Sequence, residues 1–239
     1  PAHRCRRPSC WVSGAPEQTS VMNPSELLQN QQLAPSLKIL LILTIMALLP
    51  AIILSTTSFV RTVVVLSFVR QALGAGQIPP NQIVIGLAMF VSMFTMQPIV
   101  EQMNEAGLRP YQRNEVTEIQ ALERASVPLK QFMLRQTREQ DLQMFYSATN
   151  AALPQTPDDV EMRMAMPAFV VSELTTAFQM GVMILLPFLV VDIVVASLLM
   201  SMGMMMVPPS MLSLPIKLLL FVLVDGWGLV IGSLLRSFA

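Results

Sequence analysis

Four ionisable side chains lie within the apolar C-terminal part of this 239-residue chain and could do chemistry there: Glu173, Asp192, Lys217 and Asp225. An acid inside a helix otherwise suited to lipid must face protein or water, because insertion scales charge about 2.5 to 3.5 kcal/mol for it. Such residues serve as structural ion pairs or as a relay for protons or ions. The structural interpretation is favoured, but one base among three acids leaves the relay open.

The spacing of these residues predicts which acid Lys217 contacts within one chain. If the last two apolar segments fold as a hairpin about Met206, Lys217 and Asp192 differ in depth by only about 4 to 5 Å. Glu173 would lie about 33 Å from Lys217 along the same axis. Asp192 is therefore the predicted partner inside a single chain.

Three consecutive methionines, Met204, Met205 and Met206, follow Gly203 and precede two prolines. Methionine is unbranched and flexible, so such a run repacks around whatever touches it. If copies of this loop met around an axis, they would form a deformable apolar gasket in a pore. The alternative is that these side chains only fill irregular lipid-facing space.

The composition predicts an all-α protein of the integral membrane type. Of its residues, 53% are hydrophobic and 13% are charged, and the formal net charge is zero, which gives no indication of nucleic acid as a partner. Four intervals carry no charge: 39–60, 71–100, 174–191 and 193–216. Each approaches or exceeds the roughly 17 to 25 residues of a membrane-spanning helix, so four long hydrophobic helices are expected. Prolines within them predict kinks or breaks, at Pro50, Pro98, Pro187 and Pro215.

The charge pattern divides the chain into four parts. Residues 1–36 form a poorly determined N-terminal segment, 37–100 a first hydrophobic hairpin, 101–167 a charged helical insert, and 168–239 a second hairpin with the methionine loop. Arg61 and Arg70 in the first connection predict a cytoplasmic side there, which places the insert in the periplasm. Gly228 and Gly232 form a GxxxG pair, which indicates close helix packing.

Catalysis and metal binding find little support in the sequence. His3, Cys5 and Cys10 are the only residues of their types, and three ligands fall short of the four of a structural zinc site. We expect no enzyme activity, no cofactor and no metal, because nucleotide-binding and hydrolase motifs are absent and Asp192 and Asp225 lie in no catalytic motif. The N-terminal segment lacks the apolar run of a signal peptide, which makes Met22 a candidate first residue.

Several long strings resemble the FliP family of flagellar biosynthetic proteins, which includes the matching subunit of virulence secretion systems. They are TSFVRTVVVLSFVRQALG, PPNQ, FMLRQTREQDL, PAFVVSELTTAFQMG, PFLVVDIVVASLLMSMGMMMVPP and LPIKLLLFVLVDGWGLVIGSL. The resemblance implies a non-enzymatic subunit of the flagellar type III export gate, in the bacterial inner membrane at the basal body. It also implies a homo-oligomer, expected to be a pentamer, that forms with FliQ and FliR a helical pore for unfolded flagellar proteins.

The resemblance further implies a charge pair between Glu173 of one copy and Lys217 of a staggered neighbour. It also implies that the helices lie largely above the membrane plane, surrounded by one another. The competing hypothesis is a proton-coupled transporter of small solutes. Such transporters usually contain an internal repeat with matched broken helices, which the sequence does not show.

Overall fold

A computed structural model describes residues 35–74, 79–149, 151–152, 154, 156–204 and 207–238. His3, Cys5, Cys10, Met205 and Met206 lie outside these residues. Within them the chain is helical and contains no strand, which confirms the predicted fold class. The chain divides into two compact units, Pro1–Leu48 and Leu49–Ala239.

The helices follow one another in this order: α1 Pro35–Ser55, α2 Phe59–Ala72, α3 Asn81–Met103, α4 Arg109–Gln112, α5 Glu118–Gln136, α6 Glu139–Ala148, α7 Met162–Ser201, α8 Pro209–Leu223 and α9 Gly226–Arg236. A π-helical turn, Asn104–Leu108, joins α3 to α4, and a 3₁₀ turn, Pro157–Asp159, precedes α7. The part of the first unit that is described belongs to α1, where the Thr44 hydroxyl donates to the Leu40 carbonyl at 2.8 Å.

Among the described residues, three helices are long and apolar enough to cross a membrane, and a bent pair formed by α8 and α9 would make a fourth. The backbone stays helical through Pro50, Pro98, Pro187 and Pro215. The bend between α8 and α9 is 61° and lies at Asp225, away from these prolines. Asp225 has a left-handed backbone with φ of 50°, which ends α8 without a glycine at that position.

The core of the second unit forms around α2, which packs along α7. Val65, Leu66 and Val69 on α2 are fully or almost fully buried. The Phe68 ring lies against Gly181 of α7, where a Cβ atom would overlap the ring. A residue larger than glycine would therefore push α7 away from α2.

The insert packs on the hydrophobic helices through its own small cluster. Phe132 and Met133 of α5 are buried against Phe169 of α7, with ring centroids of the two phenylalanines 5.9 Å apart. Thr117 caps α5 in a capping box with Gln120, which satisfies two backbone groups at the helix start. This packing holds the end of α5 beside α2 and α7, near Arg61 and Glu173.

Candidate functional site: two ion pairs in the helical bundle

Arg61 and Glu173 form a buried ion pair between α2 and α7. The Arg61 side chain is 3% exposed and that of Glu173 is fully buried. Arg61 Nε donates to Glu173 Oε2 at 2.9 Å, and Nη2 donates to Oε1. This two-point contact matches the planar fork of a guanidinium to a carboxylate, the strongest arrangement for such a pair.

The remaining donors of Arg61 bind two other segments. Nη2 donates to Gln136 Oε1 at 3.1 Å, and Nη1 donates to the Ser237 carbonyl at 3.2 Å and to its hydroxyl at 3.1 Å. The guanidinium also lies 4.1 Å from the centroid of the Phe238 ring. An arginine has five N–H donors. All five are used, so one side chain joins α2, the end of α5, α7 and the C-terminal turn.

Two hydrogen bonds of Ser172 stabilise the same junction. The Ser172 hydroxyl donates to the Gln136 carbonyl at 3.2 Å and accepts from the Arg138 backbone N–H at 3.0 Å. Both interactions satisfy backbone groups where α5 ends and α6 begins. The connection between these helices is therefore fixed to α7, next to Glu173.

The structure places Arg61 in a helix rather than in a loop between the first two apolar segments, and the cytoplasmic side of this segment stays a prediction. The residues between the first two apolar segments form α2, and Arg61 is in its first turn, facing the core. The balance of one base for three acids in the C-terminal part left out Arg61, which supplies a second buried base from an earlier helix. Arg61 and Glu173 are 112 positions apart, so spacing along one helix or hairpin gave no sign of their contact.

Lys217 and Asp192 form the second pair, between α8 and α7. Nζ of Lys217 donates to Asp192 Oδ2 at 2.6 Å, which confirms the partner predicted from the hairpin geometry. The Lys217 side chain is 7% exposed, whereas that of Asp192 is 45% exposed. Nζ also lies beside Gly74 at the end of α2, where the partial negative charge of a helix C-terminus favours a cation.

A cavity of about 420 Å³ opens next to this pair. Its polar lining includes Gln71, Asp192, Ser210, Ser213 and Lys217. The half-exposed Asp192 lines this space beside its contact with Lys217. The described residues contain no group of three or more metal-binding side chains, here or elsewhere.

The single chain does not bring Glu173 and Lys217 together, because each has another partner. Their predicted contact between copies stays a prediction. Of the methionine loop, Met204 is described and is 41% exposed. The gasket therefore rests on residues that lie mostly outside the described part of the chain.

The predicted burial of Asp192 and Asp225 is not found in the single chain. Asp192 is half-exposed, and Asp225 is exposed at the bend before α9. A Cβ built at Gly228 would first meet the Asp225 carboxylate, and one at Gly232 would come nearest to Arg236 at 3.7 Å, so neither glycine shows the close approach of another described helix that GxxxG packing gives. The packing role of the two glycines remains a prediction for contacts between chains.

These features define a helical membrane protein whose bundle is held together by ion pairs between distant segments. The chain matches the model of the FliP family over residues 42–234, and it belongs to that family. This span contains the residues of both ion pairs, so the site lies within the family's own fold.

Relatives named flagellar biosynthetic protein FliP include proteins from three different bacteria. The one from Bacillus subtilis is 47% identical over 208 residues, covering 87% of this chain and 94% of the relative. The one from Pectobacterium carotovorum is 48% identical, covering 85% and 79%. The one from Aquifex aeolicus is 44% identical, covering 92% and 93%.

Proposed function

We propose that the chain is a non-enzymatic core subunit of the flagellar type III export gate, through which unfolded flagellar proteins leave the cytoplasm. The observation that carries this proposal is the family match over residues 42–234. The match covers nearly all of the described helices. The relatives' name ties the family to flagellar biosynthesis, which the transporter hypothesis does not explain.

The proposed subunit works as a homo-oligomer, a pentamer, with FliQ and FliR as partners. It belongs to the inner membrane at the basal body, with the insert 101–167 in the periplasm between the hairpins 37–100 and 168–239. Large apolar side chains left uncovered on α7, α8 and the bend support assembly in lipid or with neighbours. Among them, Met183, Met211, Val222 and Leu223 are each at least 70% exposed.

In this assembly Met204, Met205 and Met206 of all copies form the gasket, and Glu173 meets Lys217 of the next copy. The second contact requires rearrangement, because both residues have partners in the single chain. Separate charge reversals at Glu173 and Lys217 should abolish assembly. The double reversal should restore only a small part of it, because a cation at position 173 also faces the buried Arg61. If only an Asp192 and Lys217 swap restores assembly, the pairing lies within each chain.

Native mass spectrometry of the chain co-expressed with FliQ and FliR tests the proposed assembly. We expect a large complex that contains several copies of the chain and both partners. A stable, monodisperse monomer in mild detergent, with the partners present, would contradict the proposal.

The gasket has its own test in the assembled complex. Replacing Met204, Met205 and Met206 by alanine removes volume without adding charge, so the complex should still form. We expect more passage of ions and small solutes, measured as conductance in a reconstituted bilayer. An unchanged conductance from a correctly assembled complex would place the constriction elsewhere.

A further inference from the structure

Both residues of the proposed contact between copies already have partners in the single chain. The Glu173 carboxylate is fully buried and is bound at two points by Arg61. Nζ of Lys217 donates to Asp192 Oδ2 at 2.6 Å, and the lysine side chain is 7% exposed. A neighbouring copy therefore reaches neither charge until a contact within the chain opens.

The two ion pairs differ in how firmly each cation is held. The Arg61 guanidinium has hydrogen-bond acceptors on α5, on α7 and in the C-terminal turn. Among the described residues, Lys217 has a single acceptor, Asp192 Oδ2. Water reaches the half-exposed Asp192 and weakens its attraction for the lysine, whereas the acid bound by Arg61 is shielded from water. The pair between Lys217 and Asp192 is therefore the one that opens more easily.

The cavity of about 420 Å³ gives Lys217 room to leave this partner. Asp192 and Lys217 both line it, together with the polar residues Gln71, Ser210 and Ser213. Lysine carries its ammonium on a flexible stem, so Nζ can leave the carboxylate by rotation of the side chain alone. The carboxylate then remains half-exposed beside this polar space, so opening the pair does not leave a buried acid without water.

Lys217 nevertheless needs a counterion before assembly. It is the only charged residue of α8, whose other residues are mostly apolar, and a free ammonium on such a helix is costly in lipid. Glu173 of the same chain cannot serve, because it lies about 28 Å from Asp192 along α7. Asp192 is therefore the counterion within one chain, and Glu173 of the next copy competes with it for the same lysine.

We propose that Asp192 is an autoinhibitory counterion, which holds Lys217 within the unassembled chain until Glu173 of the next copy replaces it. The inference rests on the proposed contact between Glu173 and Lys217 of neighbouring copies. Asp192 then slows assembly, while Lys217 is required for it. In the assembled complex the Asp192 carboxylate faces the cavity without the lysine.

The rate of assembly tests this role in cells that express the full chain with FliQ and FliR. The chain is labelled in a short pulse, and native gel electrophoresis of membranes in mild detergent follows its entry into the large complex. Asp192→Asn keeps the side-chain size but removes the charge that retains Lys217. We expect a several-fold shorter half-time of assembly and a final yield equal to that of the parent.

Two variants control for the change of charge and for the change of residue. Asp192→Glu keeps a carboxylate at this position and should assemble at close to the parental rate. Glu123→Gln makes the same acid-to-amide change on an exposed residue of α5 and should leave the rate unchanged. A structural role of Asp192 predicts slower assembly or less complex in Asp192→Asn, and only autoinhibition predicts faster assembly.

A parental or longer half-time for Asp192→Asn, or a loss of folded chain from the membrane, would overturn the inference. Equally fast assembly of Asp192→Glu would also overturn it, because the retained charge would then have no effect on the rate.

The double variant Asp192→Asn with Lys217→Met separates this inference from the contact on which it rests. It removes both charges of the pair, so neither is left without a partner in the chain. We expect it to assemble poorly, because Glu173 of the next copy finds no cation. If it does so and Asp192→Asn is not accelerated, the autoinhibition alone is refuted. If it assembles as fast and as fully as Asp192→Asn, the contact between copies fails and the autoinhibition fails with it.

Discussion

Neutralising Glu173 should destabilise the chain more than any comparable change on its surface. In Glu173→Gln the Arg61 guanidinium stays 3% exposed but loses its counterion and one of its two-point contacts. Leaving one buried charge without its partner costs about 3 to 5 kcal/mol. Since domains are stable by about 5 to 15 kcal/mol, the loss is a large fraction of the total.

The variant can be followed by heating the detergent-solubilised chain and measuring the folded fraction by size-exclusion chromatography. For a domain of this size, each kcal/mol shifts the midpoint by about 2 to 4 °C, so the expected decrease is about 6 to 20 °C. Glu123→Gln, the control on the exposed face of α5, should stay within about 2 °C because surface substitutions rarely exceed 0.5 kcal/mol.

Reversing the pair should rescue it only in part. In the variant with Arg61→Glu and Glu173→Arg, the charges again match, but Gln136, Ser237 and Phe238 remain placed for a guanidinium at position 61. The midpoint should lie between those of the parent and Glu173→Gln. A midpoint for Glu173→Gln within 2 °C of the parent would refute the reasoning, because the buried charge would then have found another partner or water.

Three further changes test separate parts of the fold. Gly181→Leu should lower the midpoint by several degrees, since its side chain must displace the Phe68 ring from α7, whereas Ser197→Ala on the exposed face of the same helix should not. Asp225→Gly should keep both the melting midpoint and export, measured as motility, because glycine accepts the left-handed backbone. Asp225→Val should destabilise the bend by about 1 to 2 kcal/mol. Loss of export in a stable Asp225→Gly variant would instead indicate a proton relay. Thr117→Ala removes the cap of α5 and should cost about 1 kcal/mol, read from the same melting curves.

The rise per residue of a helix predicted the contact between Lys217 and Asp192, because both residues lie on one hairpin at similar distances from its turn. The same reasoning could not find Arg61 with Glu173, since the chain passes through α3 and the whole insert between them. It also could not place Ser237, 176 positions from Arg61, in the same cluster. The position of Arg61 in a valine-rich segment indicates a buried arginine, whereas the positive-inside rule assigns such a residue to a loop in water.

Charge-free intervals located the apolar segments but misplaced their ends. The interval 71–100 begins in α2, and the helix that can cross a membrane begins only at Asn81. A hydropathy value depends only on the residue type, so it cannot distinguish an arginine paired with a buried acid from an arginine in water. Packing decides that difference, and packing depends on residues far away in the sequence.

The length of α7 sets a limit on how much of the chain lipid can cover. Its 40 residues extend about 60 Å, twice the roughly 30 Å of a hydrocarbon layer. Membrane helices tilt by at most about 40°, and at that angle the helix still rises about 46 Å, which leaves about 16 Å unmatched. The segment between Glu173 and Asp192 alone measures about 28 Å, one hydrocarbon thickness, so the two ion pairs lie about as far apart as the two faces of a bilayer. Because most residues of α7 other than its few charged ones are apolar, the excess creates a hydrophobic mismatch that protein rather than lipid must relieve.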